Sequence, residues 1–547
     1  MSKKVLIIGG VAGGASAAAR LRRLDENAEI TIFERGNYIS FANCGLPYYI
    51  GKTITERENL LVATPEAMKA KFNIDVRTNS NVSEVDFDNK KVKVESLNGI
   101  YEESYDVLIL SPGAKPIKPN IAGINGENIH SLRNMKDTDI IKKYVTENKL
   151  HSAIVIGGGF IGVEMAENLI DLNMEVTLVE AAPHILAPFD SDMVKIAENE
   201  MERNKVKLIL NNGVESFNSK DGTVTVTLKD GTTLSSDLVL LSIGVMPDVA
   251  FLKDSGLEFG PKGHIIVNDK LETNIKDVYA VGDAIEVVDF INGNKTAIPL
   301  AGPANKQGRI VADNIAGLDK KYKGTQGTSI LKVFNLTCAS TGNNERILDR
   351  NNIPYKSIYV LPNSHASYYP GADRIYLKLI FGENGKILGA QGIGTEGVDK
   401  RIDDIATAIR FNGTVEDLTE LELAYAPPFS SAKDPVNMAG YYAENVLTGR
   451  SSIVMPKDVD SRDKNNVVVL DVRMPEELQE EGYIEGSINI PLQELRNKFT
   501  ELEQYKAKEL WIYCKVGLRG YIAEQLLNSK GFNTKNITGG YTMYSLL

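Results

Sequence analysis

Three cysteines occur in 547 residues, and two of them stand in contexts that could do chemistry. Cys44 lies in the run Ser40-Phe41-Ala42-Asn43-Cys44-Gly45-Leu46-Pro47-Tyr48, shortly after a glycine-rich turn, with no second cysteine nearby. Dithiol chemistry would need a close cysteine pair, and here a single sulfur is presented. Cys514 repeats the theme near the other end of the chain, in Cys514-Lys515-Val516-Gly517-Leu518-Arg519. Cys338 has no such context and reads as a buried, inert thiol. The five histidines (His130, His151, His184, His264, His365) include none in a motif that looks like an imidazole base. Two lone sulfurs in two different loops suggest an enzyme that moves electrons and sulfur.

The elements around these sulfurs suggest where the electrons come from. Val5 to Ile8 reads as a short apolar strand, Gly9 to Gly14 as a turn, Ala15 to Leu24 as a helix, and Ile30 to Phe33 as a strand ending in Glu34. In such a βαβ unit the glycines let backbone N–H groups approach a pyrophosphate at the helix N-terminus. The terminal carboxylate accepts hydrogen bonds from ribose hydroxyls. Gly9 and Gly14 hold the outer positions, and Val11 replaces the middle glycine. The unit recurs at Ala153 to Ile156, with the turn Gly157-Gly158-Gly159-Phe160-Ile161-Gly162, a helix from Val163 to Leu172, and Val176 to Val179 ending at Glu180. Here Gly157, Gly159 and Gly162 match GxGxxG without substitution. Glu180 would repel a 2′-phosphate, and Ala181-Ala182-Pro183 offers no arginine to hold one, so NADH is favoured over NADPH. Two such units suggest two dinucleotides.

Length predicts three to four domains. Hydrophobic content of 43% and charged content of 24% are ordinary for a soluble globular protein. The net charge of -11 disfavours nucleic acid and anionic membrane as partners, while leaving room for a local basic pocket. Three scattered cysteines make neither a disulfide framework nor a zinc site, which points to a reducing compartment. Lys3-Lys4 before an apolar run imitates a targeting segment, but the glycines that follow fit a phosphate turn better. No run is long enough to span a bilayer. The alternating stretches Lys91-Val92-Lys93-Val94 and Thr223-Val224-Thr225-Val226 read as β-rich segments. Ser451 to Asn466 is polar and charged and reads as a linker, and Val467 to Leu470 opens a last α/β module of about eighty residues.

Two further segments complete an ordered set. Tyr105 through Ser111-Pro112-Gly113-Ala114 ends a strand in a small-residue turn, and Val278-Tyr279-Ala280-Val281-Gly282-Asp283 does the same with a carboxylate at its tip. Over roughly residues 1 to 445 the chain resembles the two-dinucleotide flavoprotein disulfide reductases. The resemblance implies that Asp283 meets the FAD ribityl chain, that Leu241 to Pro247 returns the chain to the FAD domain, and that Cys44 faces the flavin. A single-cysteine member would store its oxidised equivalent as a mixed disulfide or a sulfenate. The Cys44 run, His365-Ala366-Ser367-Tyr368-Tyr369-Pro370-Gly371 and Ala424-Tyr425-Ala426-Pro427-Pro428 are similar to coenzyme A disulfide reductases. That likeness implies that Tyr368 and Tyr425 reach the active site of a partner subunit, where a phenol would hydrogen-bond the leaving thiolate. It also places Arg20, Arg23, Lys71 and Lys433 at positions similar to the family's coenzyme contacts, with Ser40 and Asn43 flanking the sulfur.

From about 455 to 547, the order Asp471-Val472-Arg473, Gly486 to Pro491, Cys514 to Arg519, Gly539-Gly540-Tyr541 resembles a rhodanese domain. Its Cys-x4-Arg loop is one residue shorter than related phosphatase loops, which suits a terminal sulfane sulfur over a tetrahedral phosphate. Backbone N–H groups, the following helix N-terminus and Arg519 are expected to lower the thiol pKa of Cys514. Tyr544 stands near where the family often carries Trp.

The expected fold is α/β: two Rossmann-like dinucleotide-binding domains, an α+β dimerisation domain and a C-terminal α/β rhodanese domain. The expected boundaries are 1–115 and 248–324 for FAD, 116–247 for NADH, 325–450 for dimerisation, 451–466 for the linker and 467–547 for the rhodanese domain. The expected activity is FAD-dependent, NADH-linked reduction of coenzyme A disulfide, coenzyme A persulfide or polysulfide by a cytoplasmic homodimer that binds neither nucleic acid nor membrane. The alternatives are an NADH oxidase or peroxidase working through a cysteine sulfenate, and a redox-sensing coenzyme A-binding protein. Ala12 stands where peroxidase relatives carry a histidine, which argues against peroxide chemistry.

Overall fold

Short, wholly apolar strands alternating with glycine-started helices favour parallel sheets covered on both faces. The computed structural model, which describes residues 2–147 and 150–547, has this architecture. The chain divides into two compact units, Met1–Ile185 with Lys205–Gly327, and Leu186–Asn204 with Thr328–Leu547.

In the first unit, a five-stranded parallel sheet runs in the order Val278–Ala280, Val107–Leu110, Lys4–Ile8, Glu29–Phe33, Asp75–Arg77. The central strand's Val5, Leu6 and Ile7 are fully buried. The helix Gly13–Leu24 packs its small Ala17 and Ala18 inward. It meets the helix Ala301–Ile315 so closely that a Cβ on Gly308 would lie 2.3 Å from the Gly13 carbonyl oxygen. A second five-stranded parallel sheet is ordered Ile129–Ser131, Leu238–Leu241, Ser152–Ile156, Glu175–Val179, Lys207–Ile209. The two alternating stretches form the middle strands of antiparallel three-stranded sheets, Lys91–Ser96 and Thr223–Leu228. Both turn helices begin earlier than their sequence suggests, at Gly13 and at Phe160, because the tight glycine turns already bring the chain into helical register.

The second unit holds an antiparallel five-stranded sheet, Ser329–Val333, Leu336–Gly342, Ile387–Gly394, Tyr376–Phe381, Lys356–Val360. The helix Val398–Arg410 covers it with Ile402, Ile405 and Ile409, one stripe at helical spacing. A parallel five-stranded sheet follows in the order Ile453–Val454, Asn533–Ile537, Glu509–Tyr513, Val467–Asp471, Ile488–Asn489. The segment 451–466 is therefore not a free linker. Ile453 and Val454 pair with Asn536 and Ile537, and the buried Glu524 accepts from the Ser451 hydroxyl at 2.6 Å and the Ser452 N–H at 2.7 Å. A two-residue edge strand between Ser451-Ser452 and Met455-Pro456 carries too little pattern to be seen in sequence.

A buried ion cluster ties this unit together. Lys378 is fully buried, with its Nζ 3.0 Å from Asp190, 2.8 Å from Asp192 and 3.0 Å from Glu345. The Tyr359 hydroxyl donates to Asp192, and the Tyr359 N–H donates to the Thr538 hydroxyl at 2.9 Å. The antiparallel sheet and the helix Ser191–Arg203 thus share one charged centre, and the C-terminal module is bonded through Thr538 to the strand Lys356–Val360 that carries Tyr359.

Candidate functional site

The two glycine turns have matching local geometry. A Cβ on Gly9 would lie 2.0 Å from the Ser111 carbonyl oxygen, and one on Gly157 would lie 2.4 Å from that of Ser242. Gly14 and Gly162 each pass 1.9 Å, by the same measure, from the carbonyl of the turn's first glycine. Only glycine fits at these positions, and both first glycines have φ near +100°, at 94° and 108°. The carboxylates close the turns in the same way. Glu34 accepts from the Gly10 N–H at 3.2 Å and the Gly36 N–H at 2.8 Å. Glu180 accepts from Gly158 at 2.6 Å and Ala182 at 2.7 Å.

Neither turn helix has a side-chain N-cap or an acidic residue in its first turn, so the positive ends of both helices stay open to an anion. A Cβ on Gly159 would meet nothing within 4 Å, which leaves room for a pyrophosphate to approach. Asp283, at the tip after the strand Val278–Ala280, is paired with Arg133 at 3.2 Å. These features fit two dinucleotides.

Cys44 occupies the single helical turn Asn43–Gly45 and is exposed. Ser40, on its N-terminal side, is buried, and the Asn43 Oδ1 is a buried acceptor with no partner, which leaves polar capacity beside the sulfur for a ligand. The surroundings push the Cys44 thiol up, first through desolvation and then through the negative charge of Glu164, while Arg133 opposes the shift. Glu164 had no place among the residues expected from sequence. It lies on the turn helix Phe160–Asp171, and its Oε1 is 3.3 Å from the Tyr48 hydroxyl. Burial and the neighbouring Glu167 carboxylate raise Glu164 to about 7. The one sequence signal for it is its position two residues after Gly162, the last glycine of the second turn.

The basic residues expected around coenzyme A are not equally free. Arg20 is engaged by Asp313 at 2.7 Å. Arg23 and Lys71 are exposed and lie over the Phe72 ring, at 6.0 and 5.3 Å from its centroid. In the second unit, Lys433 is exposed beside the buried Asp434, which caps the helix Pro435–Leu447. Tyr368 and Tyr425 lie in two loops of that unit, with hydroxyls 3.0 Å apart, and both are exposed. Hydrogen bonding to Tyr425 raises the Tyr368 phenol.

Cys514 ends the strand Glu509–Tyr513 and leads through a tight loop into the helix Leu518–Asn528. Its Sγ accepts from the Gly517 N–H at 3.1 Å. The loop is fixed from behind. The Tyr541 N–H donates to the Cys514 carbonyl at 2.8 Å and the Thr542 N–H to that of Lys515 at 3.0 Å. A Cβ on Gly540 would lie 2.3 Å from the Cys514 carbonyl oxygen, so that close approach needs glycine. Asn536 donates to the Gly517 carbonyl at 3.2 Å and to the Tyr442 hydroxyl at 3.0 Å, which ties the loop to the helix Pro435–Leu447. Arg519 is held by Glu477 through two bonds, of 2.7 and 2.6 Å. Cys338 is buried, and desolvation pushes its thiol up to about 12.

Two dinucleotide turns, a lone exposed sulfur beside them and a second sulfur that accepts a backbone N–H in a tight strand-to-helix loop define a nucleotide-linked redox protein with a sulfur-carrier module. Residues 3–308 match the pyridine nucleotide-disulphide oxidoreductase family, residues 328–435 the dimerisation domain of the same family, and residues 456–546 the rhodanese-like domain. The chain belongs to the pyridine nucleotide-disulphide oxidoreductases. It is 38% identical over 448 residues to a coenzyme A disulfide reductase of Staphylococcus haemolyticus, covering 81% of this chain and all of that protein. Its structure is similar to that of reduced Bacillus anthracis CoADR-RHD, with a TM-score of 0.97 and 51% identity over 100% of this chain and 98% of the other. It is also similar to an NAD-dependent persulfide reductase from A. fulgidus, with a TM-score of 0.92 and 36% identity over 99% and 100% of the two chains.

Proposed function

We propose that the protein is an FAD-dependent, NADH-linked reductase of coenzyme A disulfide, coenzyme A persulfide or polysulfide, working as a cytoplasmic homodimer with a fused rhodanese sulfur carrier. The observation that carries this reading is the lone exposed Cys44 beside two open glycine turns, in a chain whose relatives reduce coenzyme A disulfide and persulfide. FAD, when bound, supplies the two-electron link between nicotinamide and sulfur. Gly9, Gly14, Glu34 and Asp283 would hold it, and Gly157, Gly159, Gly162 and Glu180 would hold NADH.

Cys44, as the thiolate, attacks one sulfur of the disulfide. The S–S bond breaks, one coenzyme A leaves as its thiolate, and a Cys44–coenzyme A mixed disulfide remains. Two electrons from NADH then return Cys44 and the second coenzyme A to the thiol level. Glu164, titrating near neutrality beside Cys44, can hold a proton there and relieve like-charge repulsion. Tyr368 and Tyr425, acting in the partner subunit's site, donate to the departing thiolate. Ser40, Asn43, Arg20, Arg23, Lys71 and Lys433 bind the coenzyme. The aromatic group Tyr368, Tyr369, Tyr425 and Phe429, exposed in the lone chain, supports a dimer surface. No described helix is long and apolar enough to cross a membrane, and the net charge of -11 disfavours nucleic acid.

The test is anaerobic NADH turnover against coenzyme A disulfide, coenzyme A persulfide and polysulfide, compared by kcat/KM. Cys44→Ser is expected to keep the flavin and lose turnover by roughly three orders of magnitude or more. Retention of most of the turnover would end the reading.

A further inference from the structure

The charges around Cys514 cancel in pairs. Arg519 meets Glu477 through both Nη atoms, at 2.7 and 2.6 Å. Lys515 pairs with Glu481, and Arg473 is bound to Asp471 at 2.8 Å and lies 3.5 Å from Glu481. Glu477 is itself placed by the backbone, its Oε2 accepting the Met474 N–H at 3.0 Å at the start of the helix Pro475–Glu481. The Arg519 hydrogen bonds hold the Glu477 carboxyl down at about 2, so it stays ionised across the working pH range. Cys514 is fully buried, while the Arg519 and Glu477 side chains remain 29% and 23% exposed. A sulfur donor approaching Cys514 therefore meets a neutralised guanidinium.

We infer that Glu477 determines the donor specificity of the Cys514 loop: by clamping Arg519 at two points it withholds the guanidinium from small oxyanion donors and leaves the loop selective for sulfane sulfur carried on an organic thiol. The two kinds of donor differ in their leaving groups. With an organic persulfide, the Cys514 thiolate attacks the outer sulfur and the S–S bond breaks. The electron pair leaves on the inner sulfur as a thiolate, and Cys514 becomes the persulfide. With thiosulfate, the same attack expels sulfite, a dianion whose oxygens need a forked cation. Arg519 is the loop's cation of that shape, and the edge formed by its two Nη atoms is taken by Glu477. The inference rests on the reading of Cys514 as the sulfur-carrying thiol.

The experiment compares sulfur transfer from thiosulfate and from glutathione persulfide in the full-length protein. Glu477→Gln keeps the shape of the side chain and removes its charge. It is expected to raise the thiosulfate-to-persulfide ratio of kcat/KM by roughly ten- to a hundredfold, with the gain in the KM for thiosulfate. Glu477→Gln/Arg519→Gln should lose that gain. An unchanged or lower ratio in Glu477→Gln would overturn the inference, and so would a gain that survives in the double variant. The wild-type protein gives an independent check: millimolar sulfate should fail to protect Cys514 from alkylation, and strong protection would show the guanidinium to be available. Cys514→Ser separates the two levels. If it still transfers sulfur from the persulfide, the carrier reading of Cys514 has failed, whatever Glu477 does.

Discussion

Beside Cys44, the carboxylates of Glu164 and Asp283 disfavour the thiolate and Arg133 favours it. Glu164 is the group that titrates within the physiological range, near 7. As pH rises through that value Glu164 becomes charged and holds the Cys44 thiol higher than it would otherwise be. Removing that charge should have the opposite sign. In Glu164→Gln the alkylation profile of Cys44 is expected to move to lower pH. The measurement belongs in a Cys514→Ser background, where Cys338 stays silent because burial pushes it to about 12. An unmoved profile would remove Glu164 from the account. At the other turn, Glu180→Ala should narrow the preference for NADH over NADPH by about tenfold, the effect of relieving ~1.4 kcal/mol of charge repulsion. Cys44 and Glu180 were legible because each stands in a short, contiguous motif. Glu164 and Tyr48 were not, since their partnership joins positions 116 residues apart.

Among the elements, the helix Ser191–Arg203 and the strand Tyr376–Phe381 are joined by buried charge rather than by apolar surface alone. Lys378 neutralises part of three carboxylates, and replacing it leaves them unpaired in a dry interior. Lys378→Met is expected to cost ~3–5 kcal/mol, read as an early transition in chemical denaturation, and Lys378→Met/Asp192→Asn should recover part of it. Equal stability of Lys378→Met and wild type would contradict the cluster's role. The helix Pro435–Leu447 has a second job: Asp434 caps its start, and Tyr442 on its later turns meets Asn536 behind the Cys514 loop. The parallel βαβ units were readable from apolar runs and glycine spacing. The edge strand Ile453–Val454 was hidden, because two residues carry no period and their partners lie more than eighty positions later.

For the assembled molecule, the dimer reading assigns Cys44 and the tyrosine pair Tyr368 and Tyr425 to different subunits of each site. Cys44→Ser and Tyr368→Phe/Tyr425→Phe homodimers should both be poor catalysts. A mixed dimer of the two regains one intact site, and so about half of wild-type turnover per dimer. No recovery in mixed dimers would place the phenols outside the partner's site. The two sulfurs should also be separable. Cys514→Ser is expected to abolish sulfur transfer from persulfide donors and leave reduction of freely diffusing coenzyme A disulfide nearly intact. If it stopped disulfide reduction as fully as Cys44→Ser, the sulfurs would form one obligatory pair.

Local, ordered signals were enough to read the family, the two nucleotide turns, the lone sulfurs and the C-terminal module. A glycine that must let a backbone pass, or a carboxylate that must end a strand, leaves its mark within a few residues of where it acts. Side-chain partnerships across the chain came only with folding: Arg519 with Glu477, Glu164 with Tyr48, Lys378 with Asp190, Asp192 and Glu345, and Arg133 with Asp283. Charge acts through space, so whether Arg519 is free for a substrate or already taken depends on which carboxylate the fold brings beside it.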